Sequence, residues 1–139
     1  MQINPAAKIL ILESQMIIAA DISLQLSKLG YDVIGITTWS EVAMNTIKNN
    51  RPDIVLINIE WQATAAGLRA ARIILETFQI PVIFLSANTD KELFKSIIDA
   101  QPYAFIAKPF EKNDLQRGVE TALNRMVAEG LWPRRIKRT

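Results

Sequence analysis

Arg51-Pro-Asp-Ile-Val-Leu-Ile-Asn58 is the stretch on which the fold turns. Residues 54–57 are four apolar side chains in a row, with no alternation between inward and outward positions. Such a run suits a strand buried on both faces, as in a parallel sheet covered by helices. Pro52 stands just ahead of it, where a missing N–H costs the ladder little, and Asn58 follows at its carboxyl end. Four more short apolar blocks, most of them rich in β-branched residues, occupy 9–12, 33–36, 82–85 and 104–107, with Pro81 ahead of the fourth strand.

Between these blocks the apolar residues change to helical spacing. Ile18, Ile22, Leu26 and Leu29 form one stripe, and Val42, Ala43 and Ile47 a shorter one. Leu68, Ala71, Leu75 and Phe78 form a third, Leu93, Phe94, Ile97 and Ile98 a fourth, and Leu115, Val119, Ala122 and Met126 the last. Thr38 with Glu41, and Thr89 with Glu92, have capping-box spacing. Gly30 follows the first stripe, where a C-terminal cap belongs. The expectation is α/β: five βα units forming a doubly wound, flavodoxin-like parallel sheet in the order 2-1-3-4-5. The domain is expected over 1–129, with 130–139 as a basic tail or linker stub.

The 139 residues suit one domain, and half of them are apolar, enough for a core. No apolar run reaches the roughly 18 residues of a membrane span, and no signal-type block opens the chain, so it reads as cytoplasmic. There is no cysteine and no histidine. That excludes disulfides, thiolate and histidine metal sites, cysteine nucleophiles, serine–histidine triads and phosphohistidine chemistry. The net charge of +2 is concentrated in the tail, where Arg134, Arg135, Lys137 and Arg138 stand without an acid. Such a short tail reads as a solvated end rather than as a nucleic-acid or membrane contact.

In a doubly wound sheet, ligands sit beyond the carboxyl ends of the strands. Glu13 and Ser14 follow the first strand, Asn58 and Glu60 the third, Ser86 and Asn88 the fourth, and Lys108 the fifth. Polar residues after strands are common, because loops are solvated. It is the set, four neighbouring strand ends each with a polar group, that points to one shared pocket.

In that order the residues resemble the receiver domain of two-component response regulators, from about Ala7 to Met126. The supporting segments are Lys8-Ile-Leu-Ile-Leu-Glu13, the stretch ending at Asn58, Gly67-Leu-Arg-Ala-Ala-Arg72, Ile80-Pro-Val-Ile-Phe-Leu-Ser86 and Phe105-Ile-Ala-Lys108-Pro109-Phe110. The resemblance implies a phosphoacceptor at position 58 and two adjacent acids holding magnesium after the first strand. It also implies a Ser/Thr and lysine at Ser86 and Lys108, and a switch aromatic at Phe105. Three departures stand out. Ser14 replaces the second magnesium acid, Asn58 the acceptor aspartate, and Ala66-Gly67 an acidic–glycine pair.

An amide oxygen is a poor nucleophile with no formal charge, so Asn58 is not expected to accept a phosphoryl group. One carboxylate and one ammonium, Glu13 and Lys108, already sum to zero, so neither metal nor cofactor is expected and the two are expected to pair, directly or through Asn58. The expected function is that of a degenerate receiver, not an enzyme. It would act by phosphorylation-independent contact with a signalling protein, a histidine kinase or an output protein. Its expected contacts include Trp61, Phe94 and Ile98, and it could dimerise through the fourth helix, fifth strand and fifth helix. The alternatives are a receiver with a noncanonical acceptor such as Glu13, or an engineered aspartate-to-asparagine form, against which Ser14 argues. A flavodoxin-like enzyme is disfavoured by the absence of a phosphate-binding glycine loop after the first strand.

Overall fold

The computed structural model describes residues 6–59, 64–87 and 91–134. Its elements alternate strictly: β1 (Lys8–Leu12), α1 (Met16–Lys28), β2 (Asp32–Thr37), α2 (Glu41–Asn49), β3 (Ile54–Ile59), α3 (Thr64–Ile73), β4 (Val82–Ala87), α4 (Lys91–Asp99), β5 (Ala104–Lys108) and α5 (Lys112–Ala128). The five strands are parallel and stand in the order β2-β1-β3-β4-β5. The expected fold is the observed one, and each strand extends its apolar block by one to two residues.

The continuous apolar runs serve two cores at once, because successive side chains in a strand point to opposite faces. Ile9, Ile11, Ile54, Leu56, Ile83 and Leu85 pack with Leu26 of α1 and Leu115 and Val119 of α5. Leu10, Leu12, Val55, Ile57, Val82 and Phe84 pack with Ile47 of α2, Ala71 of α3 and Ile97 of α4. Chain reversals are set by backbone chemistry. Gly30 (φ +93°) lets Tyr31 N–H reach Leu26 C=O and Gly30 N–H reach Ser27 C=O, the paired bonds of a Schellman cap. Gly130 (φ +76°) ends α5 in the same way, with Leu131 bonded to Met126 and Gly130 to Val127.

Local details depart from the sequence reading. The Thr38–Glu41 capping box does not form, because Glu41 is the first residue of α2 and Ser40 its cap. Ser40 Oγ instead donates to Thr38 C=O at 3.2 Å. A capping box forms at the start of α5, between Glu111 and Asp114, where a glutamate takes the role usually held by a hydroxyl. The expected box at Thr89 lies outside the described residues. After α3 the helix widens into a π turn over Ile74–Phe78 that buries Ile74 and leaves Leu68, Leu75 and Phe78 half-buried. Gln79 closes that turn in the left-handed conformation (φ 56°), its N–H bonded to Ile74 C=O.

Gly118 reads as a weak point in a helix, yet α5 needs it. A Cβ there would lie 2.5 Å from both Cγ1 and Cδ1 of Ile106 in β5. Gly118→Ala should therefore destabilise by about 1–3 kcal/mol, although alanine normally favours a helix by roughly 1 kcal/mol over glycine. Urea melts check the sign, and a second change, Ile106→Val, should recover part of the loss.

The segment after α5 folds back on the domain. Trp132 packs against the core shared by α1 and α5. Arg134 Nε lies 3.1 and 2.9 Å from the two carboxylate oxygens of Asp53, and its guanidinium also donates to Ala6 C=O. Asp53 Oδ2 in turn accepts Lys8 N–H at 2.7 Å. Residues 130–134 are thus latched to the edge of the sheet opposite the strand carboxyl ends. Of the expected basic tail, 135–139 lie outside the described residues.

Candidate functional site

A cleft of about 250 Å³ opens at the carboxyl ends of β1 and β3. Its polar floor is Glu13, Ser14 and Asn58, and its walls include Trp39 and Thr38 after β2 and Ala66, Gly67 and Ala70 of α3. Gly67 lets α3 come in close, since a Cβ there would lie 2.6 Å from Cδ1 of Ile59.

Glu13 is 4 % exposed, and both its carboxylate oxygens are engaged. Oε1 accepts the N–H of Gln15, the residue that caps α1, at 2.9 Å. The carboxylate thus satisfies a donor at the positive end of a helix. Oε2 accepts from Nδ2 of Asn58. This fixes the orientation of the amide, because the flipped amide would set an oxygen against a carboxylate. The Oδ1 of Asn58 is buried, with no hydrogen-bond partner among the described residues.

The other expected pocket residues lie along the same edge but do not line this cleft. Ser86 pairs with Ile59 in the β3–β4 register, one step beyond Asn58. It is 1 % exposed, and its hydroxyl donates to Ala87 C=O at 3.1 Å. Lys108 is half-buried opposite Ala87 and has a polar engagement of its own. The expected direct Glu13–Lys108 pair is not formed: the ion pairs among the described residues are Arg125–Glu129 and Arg134–Asp53. The arm from Asn58 to Glu13 is made, and the carboxylate is satisfied by N–H dipoles instead of an ammonium.

Phe105 is half-buried in β5 and meets Phe94 edge-on, with ring centroids 6.0 Å apart at 88°. Phe94 and Ile98 are 47 % and 51 % exposed on α4. Trp61, Glu60 and Asn88 lie outside the described residues. Trp39 as a cleft wall was the residue least legible in advance; its only signal was an aromatic in a loop after β2.

Magnesium, which the resemblance brings with it, needs a set of oxygen donors. Here Asn58 presents hydrogens to Glu13, and Glu13 already holds two N–H groups. No group of three His, Cys, Asp or Glu side chains able to hold a metal occurs among the described residues. The residues present do not fit a resident magnesium ion.

The response regulator receiver domain family matches residues 9–120. The chain belongs to that family. It is 33 % identical over 119 residues to the phyllosphere-induced regulator PhyR of Methylorubrum extorquens, a match covering 85 % of this chain and 44 % of PhyR. It is 27 % identical over 118 residues to the transcriptional regulatory protein PdtaR of Mycobacterium tuberculosis, covering 85 % of this chain and 57 % of PdtaR. This receiver thus spans about half the length of the curated relatives it matches. Among solved structures, the signal receiver domain of a modulated diguanylate cyclase from Desulfovibrio desulfuricans G20 superposes with a TM-score of 0.77 at 31 % identity, covering 89 % of this chain and 98 % of that one. The receiver belongs with two-component regulators, and none of its described helices is long and apolar enough to cross a membrane.

Proposed function

We propose that this receiver signals without aspartyl phosphorylation, by contact with a protein partner of a two-component pathway. The observation that carries the reading is the Asn58 amide donating to Glu13. Phosphoryl transfer needs an anionic oxygen in line with phosphorus and cations to neutralise the charge that develops. At this strand end there is an amide, with its Nδ2–H turned to the buried Glu13. Glu13 is a poor substitute acceptor, since both its oxygens are already satisfied.

The expected switch pair is consistent with a fixed conformation. Ser86 spends its hydroxyl on its own strand, and Phe105 is held against Phe94. A domain of this kind is a docking module rather than an enzyme. Its partner would be a histidine kinase or an output protein, and Phe94 and Ile98 on α4 are the contacts to expect, in a dimer through α4, β5 and α5 as much as in a heteromeric complex.

Incubation with acetyl phosphate and magnesium followed by intact-mass measurement tests the reading. The mass should not change. A gain of one phosphoryl group mapped to the cleft overturns it.

A further inference from the structure

We infer that the sheet edge opposite the cleft is a contact surface for an anionic lipid bilayer, made of a cluster of cations and an exposed aliphatic pair. As a sequence the basic tail reads as a solvated end; what changes that reading is where its root is docked. The contact is peripheral, since none of the described helices is long and apolar enough to cross a membrane.

Three cations gather round one buried acid at this edge. Asp53 holds Arg134 directly, and the charges of Lys8 and Arg51 also act on it. Lys8 Nζ and Arg51 Nη2 give hydrogens to neutral acceptors, Asn50 Oδ1 at 3.1 Å and Gln79 C=O at 3.3 Å, so neither charge is cancelled there. Arg134 is also the root of the tail. Arg135, Lys137 and Arg138 follow within four residues, so their backbones stay within about 14 Å of it. Against these six cations stand Asp53 and, opposite Lys8 in the β1–β2 register, Asp32. The remainder of the chain carries ten basic and twelve acidic side chains, so the positive charge is concentrated here. The Arg125–Glu129 pair at the end of α5 cancels itself, and Glu76 and Asp99 share a separate hollow with Arg72. A surface of one sign attracts the opposite sign over about a Debye length.

Val127 and Leu131 supply the apolar part. They are 54 % and 45 % exposed, one in the last turn of α5 and one in the strap, where Leu131 N–H bonds to Met126 C=O. Attachment to a bilayer surface grows with the apolar area buried in it and with attraction to anionic headgroups, and this edge offers both. Nucleic acid fits less well. Single strands favour exposed aromatic platforms on which bases stack. The Trp132 ring is instead packed on the core and faced by the Arg134 guanidinium, 5.6 Å from its centroid. With this edge on the lipid, the cleft at the strand carboxyl ends points away from the bilayer.

The test is sedimentation of the whole chain with vesicles of phosphatidylcholine containing about one-third phosphatidylserine. The protein should pellet with these and not with pure phosphatidylcholine. Raising the salt from about 0.1 M to about 1 M should release it. Replacing Arg135, Lys137 and Arg138 together by glutamine should weaken binding about a hundredfold, at roughly fivefold per charge. Arg51→Gln should weaken it about fivefold, and Leu131→Ser should also weaken it, with urea melts as the check on folding. The tail variant keeps the test decisive should Leu131→Ser fail to fold. Absence of pelleting, equal pelleting with pure phosphatidylcholine, or unchanged binding in the tail variant overturns the inference. So does a loss confined to the tail variant, since the edge itself would then contribute nothing. A duplex oligonucleotide titrated alongside by fluorescence anisotropy separates the partners. Salt-sensitive duplex binding without vesicle binding overturns the lipid contact and assigns the cations to nucleic acid.

Discussion

Arg134→Ala is expected to cost about 3 kcal/mol of folding free energy, near the lower end of what breaking a buried ion pair from one side usually costs. It should lower the melting temperature by about 10 °C. The side chain of Asp53 is 9 % exposed and that of Arg134 26 %. Removing the arginine leaves the buried carboxylate with Lys8 N–H as its hydrogen-bond donor and only the weaker pull of the Lys8 and Arg51 charges, and frees Ala6 C=O. Truncating both partners should cost less than the sum of the single changes, since no orphaned charge then remains. Additive losses in urea melts would show that the latch contributes nothing as a pair.

The same aspartate has a pH signature. Burial raises the Asp53 pKa, more than the Lys8 N–H and the Arg134 charge lower it. A carboxyl whose folded pKa lies above its unfolded value binds its proton more tightly in the folded state. Its contribution is therefore fully present below the ordinary value of 3.8 and is lost as pH rises through the raised folded pKa. Asp53→Asn abolishes this dependence. The stability of the wild type relative to that variant should fall as pH rises across the window, which paired denaturation curves at several pH values will read.

Asn58→Asp is the second large effect. The amide that donates to Glu13 would become a second carboxylate facing the first, so a hydrogen bond is replaced by like-charge repulsion. The expected loss is about 3 kcal/mol. Two adjacent carboxylates would also create the divalent-cation grip that the wild-type residues lack. Millimolar magnesium should therefore stabilise the variant by mass action and leave the wild type unchanged. A variant as stable as the wild type, or a wild type that responds equally to magnesium, contradicts the electrostatic picture of the cleft.

Sheet order and both core faces were legible because unbroken apolar runs such as 54–57 have few alternatives: they must be covered on both sides. The strand ends were legible for a related reason, since topology alone sends Glu13 and Asn58 to neighbouring positions. Which polar groups then touch is a matter of ångströms. A charge count suggested Glu13 with Lys108, whereas the carboxylate is met by Gln15 N–H and the Asn58 amide. Gly118 was opaque because propensity describes a helix by itself, and the reason for this glycine lies in Ile106 of another element. Trp132 and Arg134 belong to no periodic pattern, so nothing in their spacing announced that they would return to Asp53.

The contact between Arg134 and Ala6 has a topological consequence. The two residues stand 128 positions apart in sequence and within hydrogen-bonding reach in space. A few glycines could bridge them, so the backbone could be closed into a ring and reopened at a surface connection such as the one around Gln101. Every strand would keep its neighbours in such a circular permutant, because the seam lies on the far side of the sheet from the cleft.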